Sequence, residues 1–246
     1  MQKTHFSTTS LFFAVLAGIV LTAAFYAQTP QATPAGPTKA QLLRGEYGRY
    51  RANNDLINYN LSVRIDPVAK TIKGTNTIKF KMLSDDNRIQ LDLYDNLNVD
   101  KITIDSKTLK YSRDLGTVYV DFPEKLKAGK VYSIDFAYSG TPKTTGRFGG
   151  FTFTTDPKGR PWIFTACEGE GASIWWPNKD TWHDEVENMK LSVAIPSDLT
   201  DASNGRLLGK KDLGDGYTRW DWMINYPINN YNVSVNIGKY EHFSDK

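Results

Sequence analysis

Two glutamates separated by a single glycine sit in the least regular stretch of this chain. Residues 161–187 read PWIFTACEGEGASIWWPNKDTWHDEVE, so Glu168-Gly169-Glu170-Gly171 is followed by Trp175-Trp176-Pro177, Asp180, Trp182 and His183. Three chemistries fit these residue types. His183 and Glu187 form an i,i+4 pair that resembles half of a zinc-binding helix. Zinc takes three or four protein ligands, whereas the other histidines, His5 and His242, are remote and no H-E-x-x-H occurs. A hydrogen-bonded loop histidine is the simpler reading. Glu168 and Glu170 have a spacing that suits the paired carboxylates of a glycosidase, though any acidic loop offers as much. A carboxylate between glycines also meets a cation without steric interference, and aromatic neighbours that exclude water strengthen the pairing. A free α-amino group is a natural ligand for it. The bland alternative is a pair of solvated turn residues, and residue chemistry alone leaves it level with ligand recognition.

The elements that position this stretch show in the hydropathy pattern. From residue 57 onward apolar and polar residues alternate, as in Leu61, Val63 and Ile65, or Ile72, Ile78, Phe80 and Met82 against Lys73, Thr75, Thr77, Lys79 and Lys81. The same period recurs at Ile89–Leu93, Val118–Phe122, Tyr132–Tyr138, Met189–Ile195, Trp220–Tyr226 and Val233–Ile237. A period of two gives each strand one buried face. Asp66-Pro67, Ala128-Gly129, Ser139-Gly140 and Asp215-Gly216 mark turns between runs. The expected fold is all-β, with antiparallel sheets packed face to face. Residues 38–52 suggest a short helical or irregular lead-in with Thr38 as N-cap, weakened by Gly45 and Gly48.

The amino-terminal segment reads as an address. Lys3 precedes an uncharged run at residues 11–27, LFFAVLAGIVLTAAFYA, with small residues at its end. This order is that of a secretory signal peptide, cleaved after Ala24 or after Ala27, with retention as a short membrane anchor the alternative. Either way the remainder is expected to be exported, whether periplasmic, extracellular or membrane-associated. Residues 28–56, with Pro30, Pro34 and Pro37, read as a linker and short helix, and residues 57–246 as the β-rich domain. The single cysteine, Cys167, rules out an intrachain disulfide and is best kept buried in an oxidising compartment. A net charge of +3 without a Lys/Arg block argues against nucleic-acid binding.

The segment FTACEGEGASIWWPNKDTWHDEVENMKLSVAIPSDLTDASNGRL resembles the amino-terminal domain of the aminopeptidase N family of zinc metallopeptidases, which includes leukotriene hydrolase. Thr165-Ala166-Cys167-Glu168, Trp176-Pro177, Asp180, Leu191–Pro196 and Ser203-Asn204-Gly205 carry the resemblance. YNLSVRIDPVAKTIKGTNTIKFKM resembles the family's opening hairpin, and YNVSVNIGKY its last strand before the catalytic domain. The resemblance spans about residues 57–243.

It implies a saddle of antiparallel sheets that lends one side chain, at the position of Glu168, to bind the free amino terminus of a peptide substrate. Cys167 would pack beside it, and Pro177 and Asp180 would shape the loop. Ala166 stands where many relatives carry Gln, and Gly169-Glu170 is an added pair, so Ala166, Gly169 and Glu170 are the candidate pocket neighbours. The family's catalytic residues, a G-A-M-E-N stretch and an H-E-x-x-H…E zinc motif, are absent from the 246 residues. The chain alone is therefore expected to be inactive, with zinc held by a catalytic domain in the same or a separate chain. An exposed apolar patch is expected near Trp175, Trp176 and the Glu168 loop. The alternative function is a non-catalytic β-sandwich module that binds carbohydrate or protein on the Trp175–Trp182 aromatics.

Overall fold

The computed structural model describes residues 36–145 and 149–244. The signal segment, the first part of the linker and His5 lie outside the described residues. From Thr38 onward the described residues form one compact unit.

Thr38 caps helix α1 (Lys39–Gly45). Its hydroxyl accepts from the Gln41 amide at 3.3 Å while Gln41 Oε1 accepts from the Thr38 amide at 2.8 Å, a reciprocal capping box. The helix ends at Glu46, and a second turn, α2 (Arg49–Ala52), begins after Gly48. The lead-in is thus two short helices, broken where glycine makes helix expensive.

Sixteen strands follow among the described residues: β1 (Asn54–Asp66), β2 (Thr71–Met82), β3 (Asp86–Asp92), β4 (Leu97–Ile104), β5 (Lys107–Thr108), β6 (Lys110–Asp114), β7 (Thr117–Leu126) and β8 (Val131–Gly140). The remainder are β9 (Thr144–Thr145), β10 (Gly149–Thr155), β11 (Pro161–Ala166), β12 (Asn188–Pro196), β13 (Thr200–Asp201), β14 (Arg206–Asp212), β15 (Tyr217–Ile224) and β16 (Asn236–Gly238). They build an eight-stranded sheet in the order β14-β15-β12-β1-β2-β8-β4-β5, a five-stranded sheet β13-β16-β11-β10-β9 and a three-stranded sheet β3-β7-β6. The all-β architecture with a helical lead-in is the one the alternation predicts.

One pairing departs from the antiparallel expectation. Strand β12 lies parallel to β1, with Tyr59 opposite Met189 and Val63 opposite Val193. Parallel neighbours need a long crossover, and here every element from β2 to β11 intervenes. The core sits on the inner face of this sheet: Tyr59, Leu61, Val63 and Ile65 of β1 and Met189, Leu191, Val193 and Ile195 of β12 are all buried. The expected run Val233–Ile237 is buried as predicted, but only β16 is strand. Before it, the Asn232 and Val233 amides donate back to the Asn229 and Asn230 carbonyls in a tight turn.

Candidate functional site

Strand β11 delivers the acidic stretch from the five-stranded sheet, where Ala166 pairs with Gly150. Alternation stops immediately afterwards because Gly169 and Gly171 both take φ of +85°, a left-handed conformation that suits glycine. The Cys167 carbonyl accepts from the Gly171 amide at 2.9 Å and from the Glu170 amide at 3.2 Å, closing a tight loop. Glu168 and Gly169 stand exposed at its tip. Beyond the loop, a single 3-10 turn (Ala172–Ile174) is buried. Asp180 Oδ2 accepts from the Ser173 amide at 3.1 Å and from the Ser173 hydroxyl at 2.6 Å, so the segment doubles back on itself.

The two glutamates have different surroundings. Among the described residues, no hydrogen bond or ion pair engages the Glu168 carboxylate. The Glu170 carboxylate accepts from Tyr94 Oη at 2.9 Å, and its carbonyl accepts from Arg44 Nη1 at 2.6 Å. Burial pushes the Tyr94 phenol up to about 12, so it remains a donor across the working pH range. One carboxylate is committed to structure and the other is available. That division does not suit a glycosidase, in which both must act on one bond.

An open cavity of about 540 Å³ lies beside Glu168. Cys167, Gly169 and Glu170 line it from the loop, Gln41 and Arg44 from α1, and Asp180, Trp182, His183 and Tyr231 complete the wall. Ala166 is half-buried at the end of β11 and is not among the lining residues. Cys167 is buried, and burial pushes its thiol up to about 12, which leaves it a packing residue with no thiolate at neutral pH.

His183 is exposed; its Nδ1 lies 3.0 Å from the Thr181 hydroxyl and its ring stacks on Tyr47. Residues 182–187 form no helix, and no group of three or more His, Cys, Asp or Glu among the described residues could hold a metal. His183 and Glu187 thus do not share a helix face, and His183 sits in a loop against Thr181 and Tyr47.

The expected exposed patch at Trp175 and Trp176 requires correction. Both side chains are fully buried. Trp175 packs on Phe151 with ring centroids 5.8 Å apart, and Trp176 meets Tyr59 edge-on at 5.1 Å. The 3-10 turn and the Asp180 contacts fold these rings onto the sheets, where they fill the core. Of the three tryptophans proposed as a binding platform only Trp182 is exposed, at 80%, with Tyr231 beside it at 6.1 Å.

Two buried cations that sequence reasoning missed hold the segment in place. Lys179 Nζ pairs with Asp184 and donates to the Asn54 carbonyl at 2.7 Å. Burial pushes the ammonium pKa down, and Asp184 opposes that shift. Asp184 in turn accepts from the Leu56 amide at 3.2 Å, tying the segment to β1. Arg51 pairs with Asp92 at 2.6 Å, and the second Asp92 oxygen accepts from the Asp180 amide at 3.0 Å. Burial pushes the Asp92 carboxyl up to about 6, with Arg51 opposing the shift. Nothing in the local pattern marks these residues as buried, since Asp92 and the Asn54 carbonyl lie 41 and 125 positions from their partners.

Comparison with known proteins identifies the fold. The family profile described as the Peptidase M1 N-terminal domain matches residues 56–231. Among solved structures, an M1 zinc metallopeptidase from Deinococcus radiodurans is similar, with a TM-score of 0.69 and 18% identity over 79% of this chain and 44% of that one. A mutant from the same organism bound to a Tyr-Ser-Ala substrate gives 0.68 and 18% over 79% and 44%. A two-domain M1 zinc metallopeptidase mutant bound to L-arginine gives 0.67 and 20% over 76% and 43%. The chain spans less than half the length of these structures, and at such identities the likeness is one of fold. No curated protein matches the sequence.

Proposed function

The chain belongs to the Peptidase M1 N-terminal domain family, and from that premise we propose that it is the amino-terminal domain of an exported zinc aminopeptidase. In this reading Glu168 binds the free amino terminus of peptide substrates. The observation that carries it is the contrast between the two glutamates: Glu170 is held by Tyr94, while Glu168 reaches an open cavity with no partner among the described residues. A peptide amino terminus is cationic below about pH 8. A carboxylate at the end of the cleft therefore attracts it and sets how far the chain enters, which favours cleavage near the amino end and disfavours peptides with a blocked terminus. Gly169, beside Glu168, adds no side chain, so an incoming ammonium meets the carboxylate without obstruction.

The described residues offer no metal site. In this reading zinc belongs to a catalytic domain in the same or a separate chain, where it would supply an activated water. This chain contributes binding and orientation, and alone it is expected to be inactive. The solved relative described as bound to a Tyr-Ser-Ala substrate supports peptides as the substrate class. Export rests on the signal-like segment at residues 1–27.

Exposed Trp182 beside Tyr231 favours a second reading, a carbohydrate- or protein-binding module in which that ring stacks on the ligand. Substitution in the enzyme that includes the catalytic domain separates the two. Glu168→Gln should lower kcat/KM by about a hundredfold, the upper scale of a lost hydrogen bond between charged groups. Glu170→Gln, which still accepts from Tyr94, should stay within about threefold of wild type. Loss of ligand binding on Trp182→Ala with no effect from Glu168→Gln would support the module instead.

A further inference from the structure

We propose that Arg44 and Tyr94 are positioning residues for Glu168: they clamp Glu170 and thereby hold the loop that presents the substrate-binding carboxylate. The proposal rests on the role given to Glu168 above. The loop tip cannot hold itself. Glu168 and Gly169 are exposed, a Cβ on Gly169 would meet nothing within 4 Å, and its left-handed φ of +85° is matched at Gly171. Two backbone bonds to the Cys167 carbonyl close the loop from inside.

From outside, two residues distant in the chain hold it. Arg44 of α1 lies 126 positions before Glu170 and donates to its carbonyl at 2.6 Å. Tyr94 lies 76 positions before Glu170 and donates to its carboxylate at 2.9 Å. Arg44 also donates to the Tyr94 hydroxyl, and its guanidinium lies 5.5 Å from the centre of the Tyr94 ring. The three groups therefore act as one clamp.

Tyr94 is itself a fixed post. Its amide donates to the Ser173 carbonyl at 2.9 Å, and its carbonyl accepts from Arg113 at 2.8 Å. Lys143, paired with Asp95 at 3.1 Å, lies 5.5 Å from the centre of its ring. A rotation of the backbone at Glu170 displaces the Glu168 carboxylate two residues away. Such a displacement weakens the hold on the substrate's ammonium group, which shows as a higher KM at unchanged kcat. The arrangement also makes α1 part of the site, because removing its Arg44 frees the loop without touching the substrate-binding carboxylate.

The test pairs hydrogen exchange with kinetics. In the full chain, Tyr94→Phe should speed exchange of the Glu170 and Gly171 amides about tenfold, with Leu61 and Val193 amides of the core unchanged. In the enzyme that includes the catalytic domain, Tyr94→Phe and Arg44→Ala should each raise KM for free-amino-terminus peptides about tenfold, with kcat within about twofold. Arg44→Lys, which keeps a cationic donor, should recover most of that loss. Equal exchange in wild type and Tyr94→Phe would overturn the clamp. So would an unchanged KM in Tyr94→Phe when Glu168→Gln raises it. If Glu168→Gln itself leaves KM unchanged, the amino-terminus reading fails and the positioning role falls with it, even where the exchange result shows the loop to be clamped.

Discussion

Arg51 and Asp92 meet at 2.6 Å with side-chain exposures of 0% and 3%. The pair joins the lead-in helix α2 to strand β3, and the second Asp92 oxygen extends the link to the Asp180 amide. Through Asp180 it reaches Ser173 and the base of the Glu168 loop. The lead-in is thus wired to the candidate site through buried charge.

Breaking one side of such a pair leaves the other charge buried without compensation, so Arg51→Ala should lower stability by about 3–5 kcal/mol. Urea unfolding measures it. Arg64→Ala provides the control: its pair with Asp215 at 2.9 Å is solvent-exposed, and its loss should cost less than about 1 kcal/mol.

Asp201 gives a pH signature. It accepts from Trp222 Nε1 at 2.7 Å and from the Ser203 hydroxyl at 3.1 Å. Burial nevertheless pushes its carboxyl up to about 7. The unfolded carboxyl titrates near about 4, so between those values the folded state holds more protons and the Asp201 contribution to stability falls as pH rises. Asp201→Asn keeps an acceptor for Trp222 and removes the charge. It should flatten this component of the stability profile and stabilise the protein above about pH 7 relative to wild type. Thermal melts of both proteins from pH 4 upward test this, and parallel curves would contradict it.

The two loop glycines should respond differently to alanine. At Gly169 the space is open and only the positive φ opposes a side chain, a cost of about 1–2 kcal/mol. At Gly171 the same φ is combined with a Cβ placed 2.2 Å from Asp180 Oδ2, an oxygen pinned by Ser173. Gly171→Ala should therefore be the more destabilising of the two in denaturant titrations, and equal losses would mean that Asp180 moves aside freely.

The tryptophans separate in the same way. Trp175→Ala removes a fully buried ring and should cost about 3–5 kcal/mol. Trp182→Ala, at 80% exposure, should change stability by less than about 0.5 kcal/mol. Calorimetry on both variants checks the assignment of Trp175 to the core and Trp182 to the cavity rim.

These contrasts show which features the sequence made legible. Alternation at Leu61, Val63 and Ile65 marks a buried face because side-chain direction is local. The parallel partner of that strand, Met189–Ile195, stayed hidden because alternation sets a face and not a neighbour. Trp175 and Trp176 lie in a stretch without period, so their burial could not be read from spacing; it depends on the Asp180–Ser173 contacts that fold the turn inward. Glu168 stood out through its flanking glycine and through resemblance. The different fate of Glu170 depends on Arg44 and Tyr94, which only the tertiary fold brings near. Buried Lys179 was illegible for the same reason, since its partners include the Asn54 carbonyl 125 residues earlier.

The most direct test of the account asks whether Glu168 recognises the substrate's amino group. It compares kcat/KM for one peptide with a free and with an acetylated amino terminus, in wild type and in Glu168→Gln, using the enzyme that includes the catalytic domain. The account predicts a strong preference of wild type for the free terminus and its collapse, by about a hundredfold, in Glu168→Gln. An equal preference in both proteins would contradict it, and the amino-terminus site would have to lie on other residues.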